Sequence, residues 1–266
     1  MGPVVLVGAG KMGLAMARGW IAAGLPPEML VMVDPKPGQA AVSFSREHDI
    51  RLLDTPIGIL THVMVLAVKP QIMKQVLIEI APAVGPHTLV LSIAAGIPMA
   101  ALARALPTPR IVRAMPNTPA QIGKGITGAV GQDITQTDRA VAEALLDAAG
   151  QVIWFDAESK LDVVTAVSGS GPAYVFYLVE AMAAAAMRYG LDAEQAMQLA
   201  RQTVIGAAGL MESDSAHAAT LRENVTSPQG TTHAALQVLM APDGLEQLMD
   251  RAVLAAKRRS EELGRG

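Results

Sequence analysis

Short apolar runs alternate with amphipathic segments through the first part of the chain. The runs are "VVLVG" (4–8), "MLVMVD" (29–34), "VMVLAV" (63–68), "TLVLSI" (88–93), "RIVRAM" (110–115) and "QVIWF" (151–155). Unbroken runs of this kind mark parallel strands covered on both faces. Between them, residues 12–23, 70–80, 98–105 and 136–149 carry helical periodicity, several opened by Pro or closed by Gly. The pattern predicts a doubly wound α/β domain over residues 1–157. From about Glu158 the strand signals stop, and Ala, Leu, Met, Glu and Gln repeat at helical spacing over 158–167, 172–189, 193–211, 215–224, 231–240 and 244–262. Residues 158–266 are therefore expected to form a second, all-helical domain. In "YVFYLVEAMAAAAM" (174–187) apolar residues occupy more than one face, which implies burial on more than one side. Self-association accounts for that, with a thick helical core inside one chain as the alternative.

Composition narrows the class. At 266 residues the chain can bury roughly three quarters of its unfolded surface without staples. It has no Cys, which removes disulfides, a thiol nucleophile and Cys-based zinc sites, and is compatible with a cytoplasmic location. The net charge is −3 with interspersed signs, apart from Lys257, Arg258 and Arg259, so no nucleic-acid footprint is expected. No stretch approaches the ~20 apolar residues of a membrane span. The first strand begins almost at the first residue, so no signal peptide is expected, and "MGPVVL" lacks the Ser or Thr of a myristoylation site.

"VVLVGAGKMG" sets Gly8, Gly10 and Gly13 in G-x-G-x-x-G spacing after an apolar strand and before a helix, the context dinucleotide binding requires. Gly8 permits the tight turn, Gly10 lets the backbone approach a pyrophosphate, and Gly13 lets the helix pack on the strand. Ala9, Lys11 and Met12 complete the loop. Asp34 ends the second strand, where a carboxylate bonds the ribose 2′-hydroxyl of NADH and repels the 2′-phosphate of NADPH, while Lys36 favours the reverse. The cofactor is therefore NADPH or NADH. "AVKPQ" with Ala67, Val68, Lys69 and Pro70, "SIAAGIP" with Ala94, Ala95 and Gly96, and "AMPNTPA" with Asn117 sit at other strand ends. Ligands bind at such ends in open α/β sheets.

Late in the chain, "TSPQGTTHAA" (226–235) interrupts helical sequence. Pro228 and Gly230 should end one helix near Val225, and another should start at about Thr231. Free N–H groups and the helix dipole, flanked by the hydroxyls of Ser227, Thr231 and Thr232, then form a cradle for a small anion.

Taken in order, "GAGKMG", "AVKPQ", "SIAAG", "RAMPNTPA", "TAVSGSGPAYVF" and "ENVTSPQGTTHAAL" resemble the delta-1-pyrroline-5-carboxylate reductase family over nearly the whole chain. The resemblance implies a Rossmann domain, a helical dimerisation domain and often a decamer built from dimers. Its substrate is 1-pyrroline-5-carboxylate, reduced to proline. Thr232 would place its hydroxyl on the ring nitrogen, and Ser227, Gly230, Thr231 and Thr232 would hold the carboxylate, with Thr232 and Ser227 as the expected catalytic residues. Asn224 joins the expected cofactor contacts on the same ground. "SGSGPAY" (168–174) is expected to open a helix and line a dimer-built site. One departure is visible: Gln229 stands where the family usually has a second Gly.

Two other readings remain. A β-hydroxyacid dehydrogenase shares the Gly loop and a helical domain, but needs a Lys near the start of the interdomain helix, and residues 168–187 contain none. A catalytically silent dinucleotide sensor would have no reason to keep Ser227 with Thr232. The five His residues lack metal-ligand spacing, so no metal site is expected.

Overall fold

The structure is a computed structural model that describes residues 2–265; the outer bounds of the two expected domains, residues 1 and 266, lie outside it. Its contacts divide the chain into two units, one running to Ser170 and resuming at Ala256, the other Gly171–Ala255.

The first unit is built on β1 (Val4–Val7), β2 (Leu30–Val33), β3 (Arg51–Leu53), β4 (Val63–Leu66), β5 (Leu89–Ser92), β6 (Ile111–Met115), β7 (Gly125–Gln132) and β8 (Gly150–Trp154). They form one sheet in the order β3-β2-β1-β4-β5-β6-β7-β8. Neighbours run parallel except β6 and β7, which pair antiparallel from Ile111 opposite Gln132 to Met115 opposite Gly128. β1, β2, β4 and β5 are buried along their whole length, as their continuous apolar runs require. The pleat sends alternate residues to opposite layers. Val4 and Leu6 pack with Trp20 and Phe44, while Val5 and Val7 pack with Met73, Leu77 and Leu102. The helices are α1 (Lys11–Ala22), α2 (Gln39–Glu47), α3 (Met73–Ile80), α4 (Met99–Ala105), α5 (Gln136–Asp147) and α6 (Lys160–Val164).

All six strands expected from sequence are present, and two more, β3 and β7, were not foreseen; α2 is likewise additional. β7 reads "GITGAVGQ" because its surface is crowded. A Cβ at Gly128 would stand 2.8 Å from Val164, and one at Gly131 would stand 2.2 Å from Ile134. Packing has replaced the β-branched residues that advertise a strand.

The division after Ser170 differs from the expected boundary at 157/158. α6 is helical, as its periodicity implied, yet it lies on β6 and β7, with Leu161 buried in the layer of Val5 and Val7. Periodicity identifies the element and not the surface it packs on. Ser260 also belongs to this unit and donates from Oγ to Asp162 Oδ1 at 2.7 Å. A single π-turn follows α6 at Thr165–Gly169, where Ser170 N–H donates to the Thr165 carbonyl at 2.9 Å.

The second unit contains α7 (Gly171–Arg188), α8 (Ala193–Ser213), α9 (Ala218–Asn224), α10 (Thr231–Leu239) and the first part of α11 (Leu245–Arg265). α7 and α8 meet along Ala183, Ala196 and Ala200, whose small side chains allow close approach. Asp192 starts α8 with a capping box to Gln195. Phe176 and Tyr177 on α7 remain 64% and 70% exposed in the single chain, and Ile205 and Leu210 on α8 are exposed as well. Among the described residues no helix is long and apolar enough to cross a membrane.

Candidate active site

The order of strands reverses at β1, which lies between β2 and β4. Turns leaving adjacent strands toward opposite faces open a crevice at their carboxyl ends. A cavity of about 710 Å³ occupies that place. Gly8, Gly10, Asp34, Lys36, Ala67, Val68 and Lys69 line it.

The glycines divide the work as their spacing suggested. Gly8 has φ +97°, and a Cβ there would come within 2.8 Å of the Ala67 carbonyl. Gly10 faces open space, with nothing within 4 Å of the place a Cβ would occupy. At Gly13 a Cβ would stand 2.2 Å from the Gly8 carbonyl oxygen, so the first turn of α1 closes on the loop only because none is present. Lys11 and Met12 belong to that turn, Lys11 exposed and Met12 half-buried. Apart from the basic Lys11, it carries the unpaired N–H groups of a helix start, with Gly10 as the capping position. These features fit a dinucleotide pyrophosphate.

Asp34 is held rather than free. Its Oδ2 accepts from the Ala9 N–H at 3.0 Å and its Oδ1 from the Lys36 N–H at 2.9 Å. The carboxylate thus ties the end of β2 to the Gly loop. Asp54, at the end of β3, lines the same cavity and was missed from sequence. Its strand has only three residues, too few to show a period.

Other expected cofactor residues stand elsewhere. Pro70, Ala95 and Gly96 line a separate groove of about 880 Å³ beside α3 and α4. Ala94 is core, packed with Val90 and Met99. Asn117 is 8% exposed, and its Oδ1 accepts from the Ile126 N–H at 2.9 Å, which fastens the loop after β6 to the start of β7. Its side chain has a turn-building task. Asn224 is the exposed last residue of α9, in the second unit.

The 226–232 segment takes the expected form. α9 ends at Asn224, α10 begins at Thr231, and Gly230 caps it with φ −78° and ψ 177°. Gly230 N–H donates to the Ser227 carbonyl at 3.0 Å, which closes a turn with Pro228 and Gln229 in its centre. The next bond is Ala234 N–H to the Gly230 carbonyl, so the N–H groups of Thr231, Thr232 and His233 have no backbone acceptor. Ser227, Thr231 and Thr232 are all exposed.

Gln229 has φ +58°. With Pro fixed at negative φ before it, the turn is of type II, whose third position favours Gly. Gln229→Gly is expected to raise stability by up to about 1 kcal/mol, because relief of the left-handed conformation outweighs the added freedom of the unfolded chain. The midpoint of urea unfolding reads this, and a lower midpoint would refute it.

Two family models match the chain: "Pyrroline-5-carboxylate reductase dimerisation" over residues 158–263 and "NADP oxidoreductase coenzyme F420-dependent" over residues 3–96. A pyrroline-5-carboxylate reductase of Pseudomonas aeruginosa is 42% identical over 98% of this chain and 96% of its own length. The chain belongs to the pyrroline-5-carboxylate reductase family. Among solved structures, a pyrroline-5-carboxylate reductase of Coxiella burnetii superposes with TM-score 0.90 at 33% identity, covering 98% of both chains. A pyrroline carboxylate reductase of Plasmodium falciparum with NADP bound superposes with TM-score 0.81 at 27% identity, again over 98% of both. Ser168 and Gly169 of "SGSGP" lie inside the π-turn that precedes α7.

Proposed function

We propose that this chain reduces the cyclic imine of 1-pyrroline-5-carboxylate to proline, with NADH or NADPH as hydride donor. The observation that carries the reading is full-length similarity to pyrroline-5-carboxylate reductases, 42% identical over 98% of the chain. The Gly loop opening on a cavity at the sheet's switch point supports it.

A reduced nicotinamide, when bound, supplies a hydride for the imine carbon. Gly8, Gly10 and the first turn of α1 hold the pyrophosphate, and Ala67 to Lys69 border the same cavity. At the start of α10 the free N–H groups of Thr231, Thr232 and His233, with the Ser227 hydroxyl, take the substrate carboxylate. The Thr232 hydroxyl hydrogen-bonds the ring nitrogen, which raises the electrophilicity of the C=N carbon and orients the ring. Carbon gains the hydride, nitrogen takes one proton from solvent, and the products are a secondary amine and the oxidised nicotinamide.

The helical unit pairs with a second copy of the chain. Its exposed Phe176, Tyr177, Ile205 and Leu210 are apolar surface that a partner would cover. A decamer of five such dimers is the larger assembly that the family resemblance implies, and a chain without Cys suits a cytoplasmic location. Sedimentation of the purified protein distinguishes monomer, dimer and decamer.

The activity is tested by following the loss of reduced-nicotinamide absorbance with pyrroline-5-carboxylate, in parallel with NADH and NADPH. Turnover with formation of proline is the expected result. A folded, cofactor-binding protein with no turnover would instead leave the silent sensor as the better reading.

A further inference from the structure

We infer that the adenosine end of the cavity selects NADH over NADPH, with Asp34 and Asp54 as the specificity-determining residues. The inference rests on the reading of the cavity as a dinucleotide site and goes beyond it in naming which dinucleotide the site accepts.

The geometry begins with the strands. Val33 of β2 stands opposite Leu53 of β3, and Asp34 N–H donates to the Leu53 carbonyl at 2.9 Å. The next residue on each strand is therefore a carboxylate, Asp34 on one and Asp54 on the other, and both line the cavity. Asp34 is half-buried and cannot swing away, because Ala9 N–H and Lys36 N–H hold one oxygen each. An ionised carboxylate offers about four acceptor positions, of which these bonds use two. The remaining lone pairs accept well from ribose hydroxyls. A 2′-phosphate offers no donor and brings further negative charge.

Lys36 and Lys69 are the cations on the lining. Both are exposed, and the backbone of Lys36 is already committed to Asp34. An exposed, flexible ammonium gains little from an ion pair in water. Lys69 follows β4, on the side of β1 away from Asp34, and so stands apart from the carboxylate pair. The fixed, half-buried charge therefore decides the sign of the field where the 2′ position would lie. Even with the dielectric of a protein surface, one like-charge contact at ~4 Å disfavours the phosphate by about tenfold or more.

Titration calorimetry on the intact protein, with NADH and NADPH as probes and no imine present, tests this. NADH is expected to bind at least roughly tenfold more tightly, with the gap narrowing as salt screens the carboxylates. Asp34→Asn keeps the shape and removes the charge, so the ratio of dissociation constants should move toward one. Asp54→Lys alters an exposed residue, and should narrow the gap even where the Asp34 variant fails to fold. Equal or tighter binding of NADPH by the unaltered protein would overturn the inference. So would an Asp34→Asn protein that loses affinity for both cofactors while the ratio stays fixed, since Asp34 would then only anchor the loop. Binding of neither dinucleotide would overturn the cavity's assignment itself.

Discussion

Thr232→Ala is expected to lower kcat for pyrroline-5-carboxylate by about a hundredfold, the usual scale for a group that assists proton movement or orientation at the reacting atom. The dissociation constant for NADH should change less than about twofold, because the Gly loop and the cavity lining that hold the dinucleotide in this reading do not include Thr232. Two properties make the substitution a clean one. Thr232 is exposed in the single chain, so no core is disturbed, and Ala is the better helix former. Thr232→Ser, which keeps the hydroxyl, should recover most of the turnover. Steady-state kinetics with both variants decides the matter. Full activity in Thr232→Ala would remove the hydroxyl from the mechanism, and failure of the Ser variant would point to the methyl group.

Much of this arrangement can be read from residues alone, and the limits have physical causes. The six strands foreseen are those whose runs are buried on both faces or rich in Val, Ile and Leu, and the Gly loop declares itself because each glycine answers a separate steric demand. The break at Pro228 and Gly230 fixes both ends of the α9–α10 junction, since neither residue suits a helix interior. What escapes is what depends on distant packing. Gly128 of β7 is Gly because Val164 and Phe155 crowd it, and that requirement comes from outside the strand. Asp54 reaches the cavity only through the register of β2 with β3, a pairing no local pattern encodes. Asn117 was expected among the cofactor contacts on the strength of its place at a strand end. The structure has its Oδ1 accept from Ile126 instead, which shows that a side chain at the right edge of a sheet can be consumed by the loop that carries it. Pro70, Ala95 and Gly96 make the same point at the scale of a loop, since they occupy the expected edge and face another groove.

The second large effect concerns stability and lies outside the site. Asp138 is 3% exposed and is the third residue of α5. Thr135 caps that helix: its N–H and its hydroxyl both donate to Asp138 Oδ2 at 2.9 Å, and its Oγ1 in turn accepts from the Asp138 N–H at 3.1 Å. Arg110, just before β6, grips the carboxylate with two donors, its Nε at 2.9 Å from Oδ2 and its Nη2 on Oδ1. Burial pushes the Asp138 pKa up, but the hydrogen bonds from Arg110 and Thr135 outweigh it and hold the carboxyl below its usual value of 3.8. A depressed folded pKa means that the ionised group favours the native state. That contribution is essentially complete above about pH 5 and is lost as pH falls through 3.8 and on through the lower folded value. Asp138→Ala is therefore expected to cost about 3 kcal/mol at pH 7, since it leaves the Arg110 guanidinium with only the His87 carbonyl and undoes the cap together. Urea unfolding at pH 7 and at pH 3 measures both parts. The variant should lose more at pH 7 than at pH 3, where the unaltered protein has begun to lose the same interaction. An equal loss at the two pH values would show that Asp138 contributes through packing and capping alone, with no stabilisation from its charge.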